Sequence, residues 1–480
     1  MRIFYTTIYI VQKLHRKGEK DDPFLMGASM EKSVARKIPA DALKVIELLE
    51  SCGFEAWAVG GCVRDALLGK QPHDWDFCTS ATPKQMRDCF AGHQIVAVGE
   101  RHGTLAVRVE DAFYEVTTYR TDGAYLDARH PDTVQFVGDI TQDLARRDFT
   151  INAMAWHPVR GLFDPFLGQT DLSAGVICCV GQPSARFRED ALRVLRALRF
   201  SSVLGFSLQN DTKQAVLLEK EGLRQVARER IRQEVDGLLR GEEAPAVLRE
   251  YLPVFAVFWP QLLAMQGFLQ HSPYHDRDVL EHSLATLAAV PGEQRELRLA
   301  ALLHDVAKPY CFALDAKGNG HFFGHAEQGA EIARQMLDGL RYDHDTAETV
   351  VALVRWHDIP LADSERLLRR RVARFGPTLY GQLLWLKQAD AAAHAPAFAA
   401  ERVEQVMCQR ERLAALLKST PCLTLGQLAV GGRDILARGI APGPVVGVLL
   451  NGLLNDVIDG HLPNNRDVLL RELERRIHAG

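Results

Sequence analysis

The sequence has no surplus of positive charge: 57 Lys and Arg stand against 61 Asp and Glu, a net charge of −4. That excludes an all-over electrostatic coat for nucleic acid, so any RNA contact must come from local patches. None of the nine cysteines sits in a C-x-x-C pair, and Cys178 and Cys179 are adjacent. This argues against a zinc ribbon or a disulfide framework and reads as reduced thiols in the cytoplasm. No apolar run reaches the roughly 18–20 residues that span a bilayer, so no membrane partner is expected. Internal repeats and long low-complexity segments are also lacking.

What remains is ordinary globular composition, 47% hydrophobic and 25% charged over 480 residues, enough for two to four domains. Residues 3–11 are mostly apolar and are followed by basic residues without a small-residue cleavage site. Residues 1–36 are therefore expected to be a disordered leader, or the product of a misplaced start, with Met26 and Met30 just before the foldable sequence. Helical periodicity runs over 39–49. A short strand at 55–59 ends at Gly60-Gly61, and a helix over 62–68 is stopped by Gly69. Strands are predicted at 73–78, 95–98, 104–109 and 113–119, with Phe113, Glu115 and Thr117 on one face. From Phe187 onward helical patterns take over, locally basic over 186–240, with a proline-marked break at 253–260 and a histidine-rich stretch at 271–395. Loops are expected at Gly431-Gly432 and Pro463-Asn464-Asn465.

Two sets of residues carry chemistry. Asp74 and Asp76 are two apart, so on a strand their side chains share a side. Converging carboxylates need a cation, and Mg²⁺ takes a few carboxylates together with substrate phosphate oxygens, clamping an in-line phosphoryl displacement. Glu115 is a candidate third ligand or general base. Gly60 and Gly61 let the backbone approach a triphosphate, the next helix points its amides at it, and Arg64 adds charge.

The string Gly60-Gly61-Cys62-Val63-Arg64-Asp65, then Leu67-Leu68-Gly69, then Asp74-Trp75-Asp76 resembles the signature of class II nucleotidyltransferases, the family of bacterial tRNA CCA-adding enzymes and poly(A) polymerases. His102-Gly103-Thr104 and Glu115 to Arg120 are similar to its next blocks. Arg146-Arg147-Asp148-Phe149-Thr150-Ile151-Asn152-Ala153 resembles the block that holds ribose and triphosphate, which implicates Arg147, Asp148 and Asn152. Glu189-Asp190-Ala191-Leu192-Arg193 resembles the nucleobase-reading motif, and Glu229-Arg230-Ile231 with Glu234 the helix that supports it. Poly(A)-adding members carry an arginine-rich segment where this chain has residues 99–104, so the resemblance implies the CCA- or A-adding branch. It also implies that 78–99 is the flexible loop linked to A addition.

Asp190 and Arg193 are three apart, which a helix places on one face. Asp only accepts hydrogen bonds and Arg only donates them. Cytosine and adenine each present an amino donor beside a ring-nitrogen acceptor and fit the pair. Uracil and guanine present a carbonyl beside an N–H, and each mismatched buried group costs on the order of 1–3 kcal/mol. The plainer fate of the pair is a surface salt bridge.

His282, His304, Asp305, His325, His357 and Asp390 form a second candidate site. Imidazole with carboxylate suits a divalent transition metal, which could activate water against a phosphoester. Leu297 to Pro309, centred on His304-Asp305, resembles the central motif of the HD phosphohydrolase superfamily. His282 stands at its first ligand position, Gly324-His325-Ala326-Glu327 and Trp356-His357 are similar to its middle histidines, and Ala389-Asp390-Ala391 to its final aspartate. The alternative is a retained helical fold with no metal. The series Leu425-Gly426, Leu428, Val430, Gly431 to Asp434, Gly443, Gly447, Leu449 and Asn464-Asn465 resembles the C-terminal domain of bacterial CCA-adding enzymes, which implies a tRNA contact.

The expectation is an α+β chain: leader 1–36, nucleotidyltransferase head 37–180, helical nucleobase-reading neck 181–250, HD-type body 251–398 and tRNA-binding tail 399–480. The implied reaction adds CCA to tRNA from CTP and ATP. The alternatives are poly(A) or A-only addition and, from another class, an HD phosphohydrolase whose head only binds tRNA.

Overall fold

A computed structural model describes residues 33–122, 134–419 and 421–479. Residues 1–32 of the expected leader, with both alternative start methionines, lie outside the described residues; residues 33–37 are helical. The chain divides into two compact units, one ending at Val226 and one beginning at Ala227. The division falls inside 181–250, the segment expected to form a single neck.

The first unit opens with α1 (Ala40–Ser51), whose Ala42, Val45, Ile46 and Leu49 recur at helical spacing and are buried. There follow β1 (Ala56–Val59), α2 (Gly61–Leu67), β2 (Asp76–Thr79), α3 (Pro83–Cys89), β3 (Ile95–Gly99), β4 (Thr104–Val109), β5 (Ala112–Thr118), β6 (Arg120–Asp122), β7 (Val134–Phe136), α4 (Ile140–Ala145), β8 (Ala155–His157) and β9 (Gly161–Phe163). Seven strands form one sheet in the order β3-β4-β5-β2-β1-β8-β9. Each pairing in it is antiparallel except β2 with β5. Helix α1 lies across one face against β1, β4 and β5, where Phe77 and Tyr114 meet edge-on at 5.9 Å. On the other face Trp57, Val59, Cys78 and Tyr119 pack with Ile140, Leu144, Ala153 and Ala155. Farther along that second face, Phe113 and Glu115 of β5 are exposed, while the alternating Tyr114 and Val116 are buried. Among the helices that follow the sheet within this unit are α5 (Pro183–Glu189) and α6 (Leu192–Leu204).

Three expectations need correcting. Strand β2 begins at Asp76, so Asp74 lies in the irregular segment before it and the two carboxylates do not share a strand. The segment 78–99 is not a loop: it holds α3 and β3. Thr82 caps α3 with a reciprocal Thr82–Gln85 box, and Pro83 occupies its first turn. Asp190 and Arg193 do not share a helix either: Asp190 stands extended between α5 and α6, its Oδ1 accepting from the Leu192 amide at 3.0 Å.

Among the described residues the second unit is mainly helical, with a hairpin, Phe312–Leu314 with Gly320–Phe322, that interrupts the expected helical run. Its body is built from α7 (Val279–Ala288), α8 (Arg295–Leu303), α9 (His325–Gly339), α10 (His344–Trp356) and α11 (Pro377–Ala393). Leu284, Leu299, Leu303, Val350, Leu353 and Leu386 are fully buried among them. Helix α12 (Pro396–Lys418) packs along α11, and α13 (Pro444–Ile458) and α14 (Arg466–Ala479) lie in the tail. No helix among the described residues is long and apolar enough to cross a membrane.

Candidate functional sites

In the first unit the turn from β1 to α2 brings backbone and cation together. Gly60 adopts φ 80°, a left-handed conformation that favours glycine, and a Cβ there would meet Arg147 Nη1 at 2.8 Å. The parallel register places Asp76 directly opposite Glu115, so both side chains rise from the sheet's open face. Asp76 reaches solvent, yet its carboxyl is pushed up to about 6 by the protein crowded around it and by the Glu115 carboxylate. Asp74 adds to the rise and Arg147 opposes it. A carboxyl whose charge is disfavoured by two neighbouring carboxylates is suited to a cation.

A buried polar chain runs behind them. Arg64, 9% exposed, donates from Nη1 to Asn152 Oδ1 at 2.6 Å. Asn152 Nδ2 donates to Asp148 Oδ1 at 3.2 Å, and Arg196 Nε donates to Asp148 Oδ2 at 2.7 Å. Burial pushes the Asp148 carboxyl up, but Arg196 and the Asn152 hydrogen bond more than offset it and hold it below the usual range. Three of the sequence candidates, Arg64, Asn152 and Asp148, are thus joined to one another; Arg196 was missed, although it follows Arg193 by one helical turn. Asp143 was missed too. It is fully buried and accepts from Arg146 Nε at 3.0 Å and from Arg147 Nη2 at 3.3 Å. Its signal was its place one turn before the arginine pair.

Arg193 is buried, and its Nη1 donates to Glu189 Oε2 at 2.7 Å while Nη2 donates to the Arg146 carbonyl at 3.1 Å. The surface salt bridge to Asp190 weighed as the plainer reading is replaced by this pair with Glu189.

In the second unit all six sequence candidates converge. His282, His304 and Asp390 form one group of ligand atoms within 4.8 Å of one another, and Asp305, His325 and His357 form another. Asp305 joins them: Oδ2 lies 3.1 Å from His304 Nε2, and Oδ1 lies 3.7 Å from both His325 Nε2 and His357 Nε2. The backbone sets the tautomers. Nδ1 of His304, His325 and His357 faces the carbonyls of Ala301, Phe322 and Val354, at 2.9, 2.8 and 2.6 Å. A carbonyl only accepts, so each Nδ1 carries the hydrogen and each Nε2 is left as a bare lone pair in the neutral ring. His325 Nε2 and His357 Nε2 then face each other at 3.2 Å. Two lone pairs at that distance repel unless a proton or a cation lies between them. Burial pushes His357 down to about 3, which disfavours the proton. Burial opposes ionisation of both His304 and Asp305, but with no cation bound Asp305 and Asp390 raise the His304 imidazole, and protonated His304 with Lys308 holds the Asp305 carboxyl well below the usual range. Neutral imidazole and ionised carboxylate are the ligating forms.

His304, Asp305, His325, His357 and Asp390 line a cavity of about 670 Å³ that also receives Lys308, Lys387, His394 and Arg402. Lys308 Nζ stands 2.7 Å from Asp305 Oδ2. His275, pushed down to about 3 by burial, meets the His282 ring edge-on at 4.9 Å between centroids, and His394 lies tilted to it at 5.6 Å. The sequence reading passed over both, because a lone histidine outside a motif carries no spacing signal.

Comparison with known proteins matches residues 56–178 to the Poly A polymerase head domain and residues 279–380 to the HD domain. A CCA-adding enzyme of Lactobacillus delbrueckii subsp. bulgaricus is 45% identical, over 88% of this chain and 95% of its own length. One of Limosilactobacillus reuteri is 32% identical, over 93% of this chain and 99% of its own. Among solved structures, that of the Bacillus stearothermophilus CCA-adding enzyme in complex with CTP superposes with a TM-score of 0.67 at 29% identity, covering 92% of this chain and 99% of that one.

Proposed function

The chain belongs to the family of the CCA-adding enzymes, and from that premise we propose that it rebuilds the 3′ end of tRNA by adding C, C and A without a template. The tRNA 3′-hydroxyl oxygen attacks the α-phosphorus of CTP, and in the last round of ATP. A new P–O bond forms and pyrophosphate leaves. The observation that carries this reading is the opposition of Asp76 and Glu115 across β2 and β5, beside the Gly60 turn and its arginine.

Asp74 and Asp76 are the residues that would hold a divalent ion, Mg²⁺ in our reading, and the raised Asp76 carboxyl fits that role. When bound, such an ion neutralises developing phosphoryl charge and orients the reacting oxygens. Glu115 serves as a further ligand or as the base that takes the hydroxyl proton. Arg64, Arg147, Asp148 and Asn152 steady the ribose and triphosphate beside Gly60 and Gly61. Asp190 accepts from the amino group shared in position by C and A, and Arg193 donates to the neighbouring ring nitrogen, which draws its guanidinium off Glu189. The tail from 399 onward contacts the tRNA body, and the enzyme works in the cytoplasm. The test is extension of tRNAs ending before CCA, after C and after CC, each offered labelled nucleotides with Mg²⁺. Stepwise completion is expected; extension of none would overturn the reading, and polymer tails on the CC form alone would favour poly(A) addition.

The opposed lone pairs of His325 and His357 favour a second reading for the helical body: a divalent transition metal held by His282, His304, Asp305, His325, His357 and Asp390, in a phosphoester-hydrolysing site. Metal analysis of the purified chain should find the ion, and His304→Ala and Asp305→Ala should lower its content. Equal content in all three proteins would reject this site.

A further inference from the structure

Beyond its carboxylates the open face of the sheet turns apolar. The register runs Asp76, Glu115, Ala106 and Val96 straight across β2, β5, β4 and β3. Two residues back along β5, on the same side as Glu115, stands Phe113, opposite Arg108 of β4. Phe113 is 50% exposed and Val96 44%, and Arg108 is exposed with them. Arg108 bends back to its own hairpin: Nε donates to the Glu110 carbonyl at 3.2 Å, and Nη2 lies 3.6 Å from Asp111 Oδ1. A bare aromatic ring with a cation at its side therefore adjoins the catalytic carboxylates, and nothing in the binding of the incoming nucleotide uses it.

Side chains two apart on a strand stand about 7 Å from each other. That is close to the span from a ribose 3′-oxygen to its own base, so an oxygen held at Glu115 brings its base to the Phe113 ring. We propose that Phe113 is the shelf on which the 3′-terminal base of the tRNA stacks while its hydroxyl meets Asp76 and Glu115. The inference rests on the CCA-adding reading. That reaction needs a grip indifferent to sequence: the terminal base is whatever precedes CCA in the first round and cytosine in the next two. Hydrogen bonds from side chains would favour one base and slow the other rounds. A ring accepts them all, because every base has a π-face. Arg108 offers its charge to the phosphate behind that base.

The test uses the full chain with Mg²⁺ and follows single-nucleotide addition to tRNAs ending before CCA, after C and after CC. Phe113→Ala should raise the KM for tRNA about tenfold in all three rounds, within the range found when a base loses an aromatic partner. The KM for CTP and the preference for CTP over UTP should stay as in wild type. Phe113→Leu, which keeps an apolar side chain without a ring, should behave like Phe113→Ala, and Phe113→Trp should keep the low KM. A tRNA whose terminal ribose lacks its base should start from the high KM and respond to none of the three changes. A tRNA KM indifferent to Phe113→Ala, or one that rises equally for the abasic tRNA, overturns the shelf while leaving the CCA-adding reading standing. Extension of no tRNA by the wild-type chain overturns that reading, and the shelf with it.

Discussion

Replacing Asp143 by alanine should cost the first unit about 3 kcal/mol and weaken nucleotide binding. The carboxylate is fully buried and accepts at Oδ1 from Arg146 Nε and Nη2, at 3.0 and 2.9 Å, and from the Arg120 amide at 3.3 Å. Its other oxygen accepts from Arg147 at 3.3 Å. Breaking a buried charge pair from one side costs about 3–5 kcal/mol, because the partner charge is stranded. Arg146 and Arg147 keep 18% and 21% exposure, so water relieves part of that and the lower end applies. For a unit of this size the loss corresponds to a fall in Tm on the order of 10 °C, read by scanning calorimetry of the full chain. The pH dependence has a definite sign. Burial raises the Asp143 pKa, but Arg146 and Arg147 more than offset it, so the folded value lies below the unfolded one. The contribution is therefore present above about pH 4, the unfolded carboxyl pKa, and is lost as pH falls through the lower folded value. Wild type and variant should differ by a constant amount at neutral pH and converge in acid. Because Arg147 stands against Gly60, the KM for CTP should also rise. A first-unit transition within about 2 °C of wild type would refute the reasoning.

Asp190→Ala should lose discrimination of CTP from UTP in single-nucleotide extension; an unchanged preference would sink base reading by this residue. The same change removes the cap on the Leu192 amide, about 1 kcal/mol, which thermal unfolding would register separately. Gly60→Ala should lower kcat/KM for nucleotide by at least about tenfold, since its φ of 80° strains any side chain and the new methyl would press on Arg147. The Asp76 carboxyl near 6 predicts that protons compete with the ion: apparent Mg²⁺ affinity should weaken about tenfold between pH 7 and pH 5, where an ordinary carboxylate would lose almost nothing. Its stability sign is opposite to that of Asp143. A raised carboxyl favours the folded ion-free state at low pH and loses that benefit as pH climbs through about 6, so Asp76→Asn should stabilise the ion-free protein at neutral pH.

The head was legible because its strands alternate: the expected 104–109 strand is β4 as observed, and Glu115 lies on the exposed face as its flanking Phe113 and Thr117 suggested. The helical body's six candidates were legible because the motif centred on His304-Asp305 gave a frame for the histidines and aspartate around it, and the fold brings the six together. What failed was local conformation governed by caps and tertiary packing. Asp74 misses the strand, and the proline and threonine that open α3 turned a presumed loop into a helix. Asp143 and Arg196 escaped notice because their meaning is a partner in the fold, not a neighbour in the sequence.

The one parallel pairing in the sheet also bears on how the enzyme comes into being. Asp76 and Glu115 meet only because β2 and β5 pair, and between them the chain must first lay down the β3–β4–β5 meander. During synthesis Asp76 is made well before its partner and waits without it. A slip of one residue in that pairing would turn Glu115 to the far face. On the proposed role of Asp76 and Glu115, activity therefore reports on the register of the whole sheet: a head that has paired these strands wrongly lacks the juxtaposition and should not extend RNA while it is still folding.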